Sequence, residues 1–177
     1  MKESSKMVYY KEMDSPIGPL TIAATTNGVC WIEFGMIEDS LFLLKRWVKQ
    51  WIGTDQIVEA KNELNTVIQQ LIEYFSGQRT EFNIAIELYG TPFQKKVWET
   101  LLTIPYGEVR TYKDIAIQMN APKAVRAIGG ANHNNPIPII VPCHRVIGSN
   151  GNLVGYGGGI EIKQYLLQLE GYLPKDK

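Results

Sequence analysis

The chain is poor in the residues that most often announce a chemistry. Two cysteines and two histidines among 177 residues are too few for a disulfide framework. With Cys143 and His144 adjacent, a four-ligand zinc site of Cys and His is not expected either. No apolar run approaches the roughly 18 residues of a membrane span. Met1-Lys2-Glu3-Ser4-Ser5-Lys6 has no apolar stretch resembling a signal peptide, so a reducing, cytoplasmic setting is expected. Neither a phosphate-loop lysine nor a dinucleotide fingerprint is present, and no cofactor is expected. The formal net charge is zero, which by itself lacks the overall basicity of a nucleic-acid binder.

The zero is an average of two unlike parts. Residues 1–90 carry 8 Lys/Arg against 12 Asp/Glu and residues 91–177 carry 10 against 6, balances of −4 and +4. An acidic half beside a basic half is what a chain with one nucleic-acid-facing domain shows. The patterning divides at the same place. In 1–90, Val8 to Met13, Pro19 to Ala24 and Val29 to Phe34 read as strands of an antiparallel meander, with Thr26-Asn27-Gly28 as a hairpin turn. Asp39 to Trp51 and Asn62 to Phe75 read as helices, the second with the apolar stripe Leu64, Ile68, Leu71, Ile72 and Phe75, and Glu81 to Leu88 as a further strand. The fold expected is mixed α/β: a small amino-terminal antiparallel sheet with helices, then a mostly helical, winged-helix-like domain over 91–177. Cys30, between Val29 and Trp31, reads as a buried apolar residue.

The second half opens on Thr91-Pro92-Phe93-Gln94, a cap, a proline at the first helical position and a glutamine able to close a capping box. Two short helices, Thr111 to Met119 and Pro122 to about Ala131, flank Asn120-Ala121 at helix-turn-helix spacing. The second of them, Ala121-Pro122-Lys123-Ala124-Val125-Arg126-Ala127-Ile128-Gly129-Gly130-Ala131, is nearly bare. A helix that reads the major groove offers Arg, Asn, Gln or Glu to base edges. This one either lies against the minor groove, with Arg126 as its one long side chain able to enter a duplex, or packs tightly against another helix inside the protein.

The chemistry is concentrated in Pro142-Cys143-His144-Arg145, set within the apolar run Ile139 to Ile147. A thiol reacts as thiolate, and a histidine and a fixed positive charge are the neighbours that lower its pKa. Pro142 cannot extend a strand ladder, so the chain is expected to turn at the cysteine and present its sulfur. Asn135, just before Pro136, is placed to bond the backbone of that turn. The glycine-rich Gly155-Tyr156-Gly157-Gly158-Gly159 beyond it suits a wall that admits a flat ligand. By its local sequence Glu170 reads as an exposed acid. Tyr112 could cap the core below the first helix, and Arg145 could pair with an acid of the amino-terminal half. His133 reads as a loop residue.

Tyr112, the Arg126-Ala127-Ile128-Gly129-Gly130-Ala131 run, Asn135-Pro136, Pro142-Cys143-His144-Arg145-Val146, Gly155-Tyr156 and Leu166 to Gly171 together make Thr91 to Gly171 resemble the catalytic domain of the O6-alkylguanine-DNA alkyltransferases. The first 90 residues resemble that family's amino-terminal domain in layout only. The resemblance implies that Cys143 accepts the alkyl group, His144 takes its proton through a water, Glu170 polarises the imidazole and Asn135 holds the turn. It further implies that Arg126 fills the space left by a flipped nucleotide, Tyr112 presses on the neighbouring phosphate, and Tyr156 with Gly157 lines the base pocket. Lys113, Ala121 and Ser149 would contact the DNA backbone. The partner would be double-stranded DNA, bound through the minor groove with little regard for sequence by a monomer that acts once, without metal or cofactor. O4-alkylthymine stays open as a second substrate. Gly157 departs from the hydroxyl residue frequent in relatives, which bears on one hydrogen bond to the base, and zinc sites known in some relatives are not carried over. Two rivals stand beside this: a thiol hydrolase built on Cys143 and His144, and a DNA-binding protein without catalysis.

Overall fold

The computed structural model describes residues 6–176; Met1–Ser5, which carry part of the signal-peptide argument, and Lys177 lie outside the described residues. The chain forms two compact units that meet in sequence between Tyr89 and Gly90.

In the first unit β1 (Val8–Met13), β2 (Leu20–Thr25) and β3 (Gly28–Phe34) form the expected antiparallel meander. Gly28, at the β2–β3 turn, lets the Ala85 segment approach, because a Cβ there would stand 2.7 Å from the Ala85 carbonyl oxygen. A fourth strand, β4 (Ile57–Glu59), lies parallel to β1 at the sheet edge. Three residues give too short a pattern to read from sequence. Glu81 to Leu88 is not a strand: Val29 bonds the Ala85 carbonyl and is bonded by the Glu87 amide, and the pairing stops at that one bridge. Helices α1 (Ile37–Trp51) and α2 (Asn65–Phe75) follow. The second starts late because Glu63 accepts from the amides of Lys61 and Asn62 and shapes a turn before it. Its buried stripe includes Val67 and Tyr74, while Ile72 faces solvent. Leu44 and Val48 of α1 pack with Val8, Ala23, Cys30 and Trp31 in the core of this unit.

The second unit holds α3 (Pro92–Leu101), β5 (Arg110–Thr111), α4 (Tyr112–Gln118), α5 (Val125–His133), β6 (Val146–Ile147) and α6 (Ile160–Leu169). Thr91 and Gln94 close the expected capping box on α3, and Thr111 with Asp114 closes another on α4. Between α4 and α5 the chain turns through Asn120, whose φ of 55° is one that asparagine tolerates. The following Ala121–Ala124 turn delays α5 to Val125. Trp98 of α3 donates its indole N–H to the Ala131 carbonyl at 2.8 Å and so fixes α5 from below. The two-stranded parallel pair β5–β6 joins the start of α4 to the segment just after Cys143. Among the described residues no helix is long and apolar enough to cross a membrane.

Candidate active site

Cys143 opens one turn of 3-10 helix, Cys143–Arg145, immediately before β6. The approach to it is strained. Ile139 has φ of 73°, a conformation that costs a β-branched residue steric energy and persists only when its surroundings impose it. Asn135 supplies the constraint, since its Oδ1 accepts from the Ile137 amide at 3.0 Å and its Nδ2 donates to the Val141 carbonyl at 2.9 Å. One side chain thus brackets the strained segment that delivers the thiol.

The sulfur is not presented to solvent: Cys143 is 3% exposed. Burial pushes its thiol up to about 11, against the opposing pull of Asn135, Lys163 and nearby backbone amides. This corrects the expectation of a thiol already lowered in pKa by Arg145, whose guanidinium is committed elsewhere. Its Nε and Nη2 donate to the two oxygens of Glu170 at 2.7 and 3.0 Å, and Nη1 donates to the Ile104 carbonyl at 2.7 Å. The bidentate fork is the geometry in which Arg binds carboxylate best. Arg145 therefore serves an acid of its own unit.

Glu170, which caps α6, is 5% exposed, overturning its reading as a solvent acid. Its Oε2 lies 2.7 Å from His144 Nε2, and the Gly107 amide approaches Oε1 at 3.4 Å. Burial raises its pKa, but His144 and Arg145 together outweigh that and hold the carboxyl well below the usual range. For His144 the balance falls the other way. Burial, joined by the charges of Arg145 and Lys163, lowers its pKa more than Glu170 raises it, so the imidazole is neutral and the contact is an Nε2–H···O hydrogen bond rather than an ion pair. The proton is then on Nε2, and Nδ1, which has no hydrogen-bond partner among the described residues, is the basic nitrogen.

Two buried polar residues were missed in the sequence. Lys163 of α6 is fully buried; its Nζ donates to the carbonyls of Val146, beside the thiol turn, and of Val154, at 3.0 Å, in the glycine-rich loop. Burial pushes its pKa down to about 8, with the thiol favouring the charged form. Asn132 of α5 is 2% exposed, with Nδ2 3.4 Å from both the Cys143 carbonyl and the Tyr112 hydroxyl. Helical spacing held the signal in each case. Lys163, Leu166, Leu167 and Glu170 share one face, as do Ile128, Ala131 and Asn132.

The structure brings Cys143, His144, Glu170 and Asn135 together. Tyr112 is half-buried, donating its hydroxyl to the Val154 carbonyl at 3.3 Å. Tyr156 is buried, within electrostatic reach of Cys143 and Glu170. Lys113, Arg126, Ser149 and Gly157 are exposed, and Ala121 is half-buried. On α5 the small residues Ala127 and Gly130 face solvent, and a methyl added at Gly130 would meet nothing within 4 Å. Internal packing accounts for the buried Ala131 but not for these two exposed positions. No three His, Cys, Asp or Glu side chains among the described residues come together to hold a metal ion.

Fold and site define a class: a mixed α/β protein whose helical unit carries one cysteine in a polar, hydrogen-bonded turn beneath a helix pair. Residues 92–172 match the family described as 6-O-methylguanine DNA methyltransferase, DNA binding domain, and residues 8–88 match its ribonuclease-like domain. The methylated-DNA–protein-cysteine methyltransferase of Mycobacterium tuberculosis is 47% identical over 165 residues, 93% of each chain. The constitutive one of Bacillus subtilis is 46% identical over 175 residues, 97% of this chain and 100% of that one. A crystal structure of Mycobacterium tuberculosis OGT in complex with DNA superposes with TM-score 0.78 at 44% identity, covering 92% of both chains. The O6-methylguanine-DNA methyltransferase from the hyperthermophilic archaeon Pyrococcus kodakaraensis gives 0.65 at 31% identity, covering 93% of this chain and 99% of that one. The chain belongs to the methylated-DNA–protein-cysteine methyltransferase family.

Proposed function

We propose that this protein repairs double-stranded DNA by moving the alkyl group of O6-alkylguanine, such as methyl, onto Cys143. The observation that carries the reading is the Arg145–Glu170–His144 chain. It fixes a neutral imidazole with a free basic nitrogen in the residue next to a thiol that burial keeps protonated. A protonated thiol needs a base at the moment of attack and no sooner. His144 Nδ1 takes the proton through a water as the S–C bond forms and the C–O6 bond of the base breaks, and the guanine leaves with a proton in place of its alkyl group. Glu170 stabilises the imidazolium that forms, the part an aspartate plays in a hydrolytic triad. The thioether has no hydrolytic exit, so each chain acts once; a monomer carries every group this chemistry uses.

The reacting atom lies on a base edge, so the nucleotide leaves the stack. The bare, exposed face of α5 suits a minor groove read through phosphates, with Arg126 entering the space vacated and Tyr112 beside the neighbouring phosphate. Lys113, Ala121 and Ser149 add backbone contacts, while Tyr156 and Gly157 wall the base. O4-alkylthymine presents the same alkyl–oxygen bond and is a second substrate on this chemistry. Residues 91–177 carry binding and transfer, residues 1–90 support them, and the setting is the cytoplasm. The deciding experiment is the intact mass before and after incubation with a duplex holding one O6-methylguanine. The gain expected is one methyl per chain, mapped to the Cys143 peptide. Catalytic release of methyl without a mass gain would favour a thiol hydrolase, and unchanged mass with tight binding would favour a non-catalytic binder.

A further inference from the structure

The carbonyl oxygen of Cys143 sits at the centre of the thiol turn, and the side chain that reaches it comes from the DNA-facing helix pair. Asn132, on the buried face of α5, places Nδ2 3.4 Å from that oxygen and 3.4 Å from the Tyr112 hydroxyl. Tyr112 opens α4 and passes its own hydrogen to the Val154 carbonyl at 3.3 Å. The same Val154 oxygen receives Lys163 Nζ at 3.0 Å. One amide group therefore joins the first residue of α4 and the glycine-rich loop, on one side, to the backbone of the nucleophile on the other.

Asn132 is an expensive residue in this position. Its Oδ1 is buried and has no hydrogen-bond partner among the described residues, and an unsatisfied buried acceptor opposes folding where an apolar side chain of similar volume would not. The donor half of the amide is what the site gains. Its two hydrogens are shared between Tyr112 and Cys143, so a displacement at one end re-aims the bond at the other.

We propose that Asn132 is a positioning residue that couples Tyr112 on the DNA-facing side to the backbone of Cys143, so that engagement of a duplex adjusts the turn holding the thiol. The coupling rests on the alkyl-transfer reading for its purpose, but its geometry can be tested apart from it. The single-turnover rate of methyl transfer from a duplex with one O6-methylguanine is measured for the wild type, Asn132→Leu, Tyr112→Phe and the double variant. Duplex affinity is measured for Asn132→Leu in a Cys143→Ser background. Each single substitution is expected to slow transfer about tenfold, and the double variant to be slower than the worse single by no more than about twofold, the signature of two residues acting through one link. Affinity is expected to change by less than about threefold, because Asn132 itself is buried and touches no DNA.

The second arm needs no transfer. The amide 15N shift of His144 reports on the carbonyl of Cys143, to which its nitrogen is bonded, and is followed as undamaged duplex is added. The wild type is expected to shift on binding and Asn132→Leu to lose that response. Multiplicative losses in the double variant, transfer by Asn132→Leu within about twofold of wild type, or a His144 shift that responds alike in both proteins would each overturn the coupling. Should wild type transfer nothing, the repair reading falls while the amide shift still decides the coupling. If Asn132→Leu does not fold, Asn132→Ala takes its place in both arms.

Discussion

Cys30 and Cys143 are buried to nearly the same depth, and burial pushes both thiols up, to about 12 and about 11. Their surroundings have little in common. Cys30 sits in β3 among Val8, Ala23, Trp31, Leu44 and Val48, its sulfur 3.7 Å from the Ala23 carbonyl, with Glu87 raising its pKa further. Cys143 sits on a 3-10 turn where Asn135, Lys163 and backbone amides all favour the thiolate, beside an imidazole whose proton position is fixed by Glu170. Depth of burial therefore does not separate the two cysteines. What separates them is polar company that stabilises the anion once its proton is taken.

The sharpest way to break that comparison is to exchange the fates of the two sulfurs. Cys143→Ser is expected to abolish the mass gain on alkylated DNA, since a hydroxyl is a far weaker nucleophile than a thiol. Methyl appearing on Cys30 in that variant would sink the distinction. Next in size is Glu170→Gln, which leaves the buried Arg145 guanidinium without its counter-charge. Stability in urea is expected to fall by about 3–5 kcal/mol, and the transfer rate by about a hundredfold, as for a loss of acid–base catalysis. The same substitution carries a pH signature. Glu170's folded pKa is depressed, so its contribution is present above the ordinary carboxylate value of about 4.3 and is lost as pH falls from there toward the folded value. Wild type should weaken in that acid window more steeply than Glu170→Gln; parallel curves would remove the carboxylate from the account.

Lys163 gives a smaller effect of the same sense in an alkaline window. Its folded pKa of about 8 lies below the unfolded value of about 10.4. Between the two the unfolded chain binds more protons, so this residue's contribution to stability rises with pH through that window. Wild type should gain on Lys163→Met in urea midpoint from pH 8 to pH 10, and a constant difference would show that the ammonium is not desolvated as its burial implies. The smallest change is expected at Cys30→Ala, a loss of about 1 kcal/mol from a small core deletion, with transfer per chain unaltered. A transfer defect there would make the two cysteines partners instead of opposites.

Helix α3 was legible to its capping box because Thr91, Pro92 and Gln94 are local signals. The β1–β3 meander was legible because its turn residues sit between alternating strands. What escaped were features made by partners distant in sequence. The parallel edge strand β4 exists only where β1 accepts it. Arg145 beside Cys143 reads as an activating charge until Glu170, 25 positions on, is seen to hold it. Lys163 and Asn132 looked like ordinary polar residues because nothing next to them in sequence announces a carbonyl to bond.

The sequence by itself determined which reactive groups share one segment: a thiol, an imidazole and a bracketing asparagine, with a bare helix ahead of them. Those are covalent and local facts, present in the order of residues. The tertiary structure decided the protonation states, by burying the thiol and the imidazole together and spending the one adjacent guanidinium on Glu170. Burial and long-range charge set those states, and neither exists until the chain has folded.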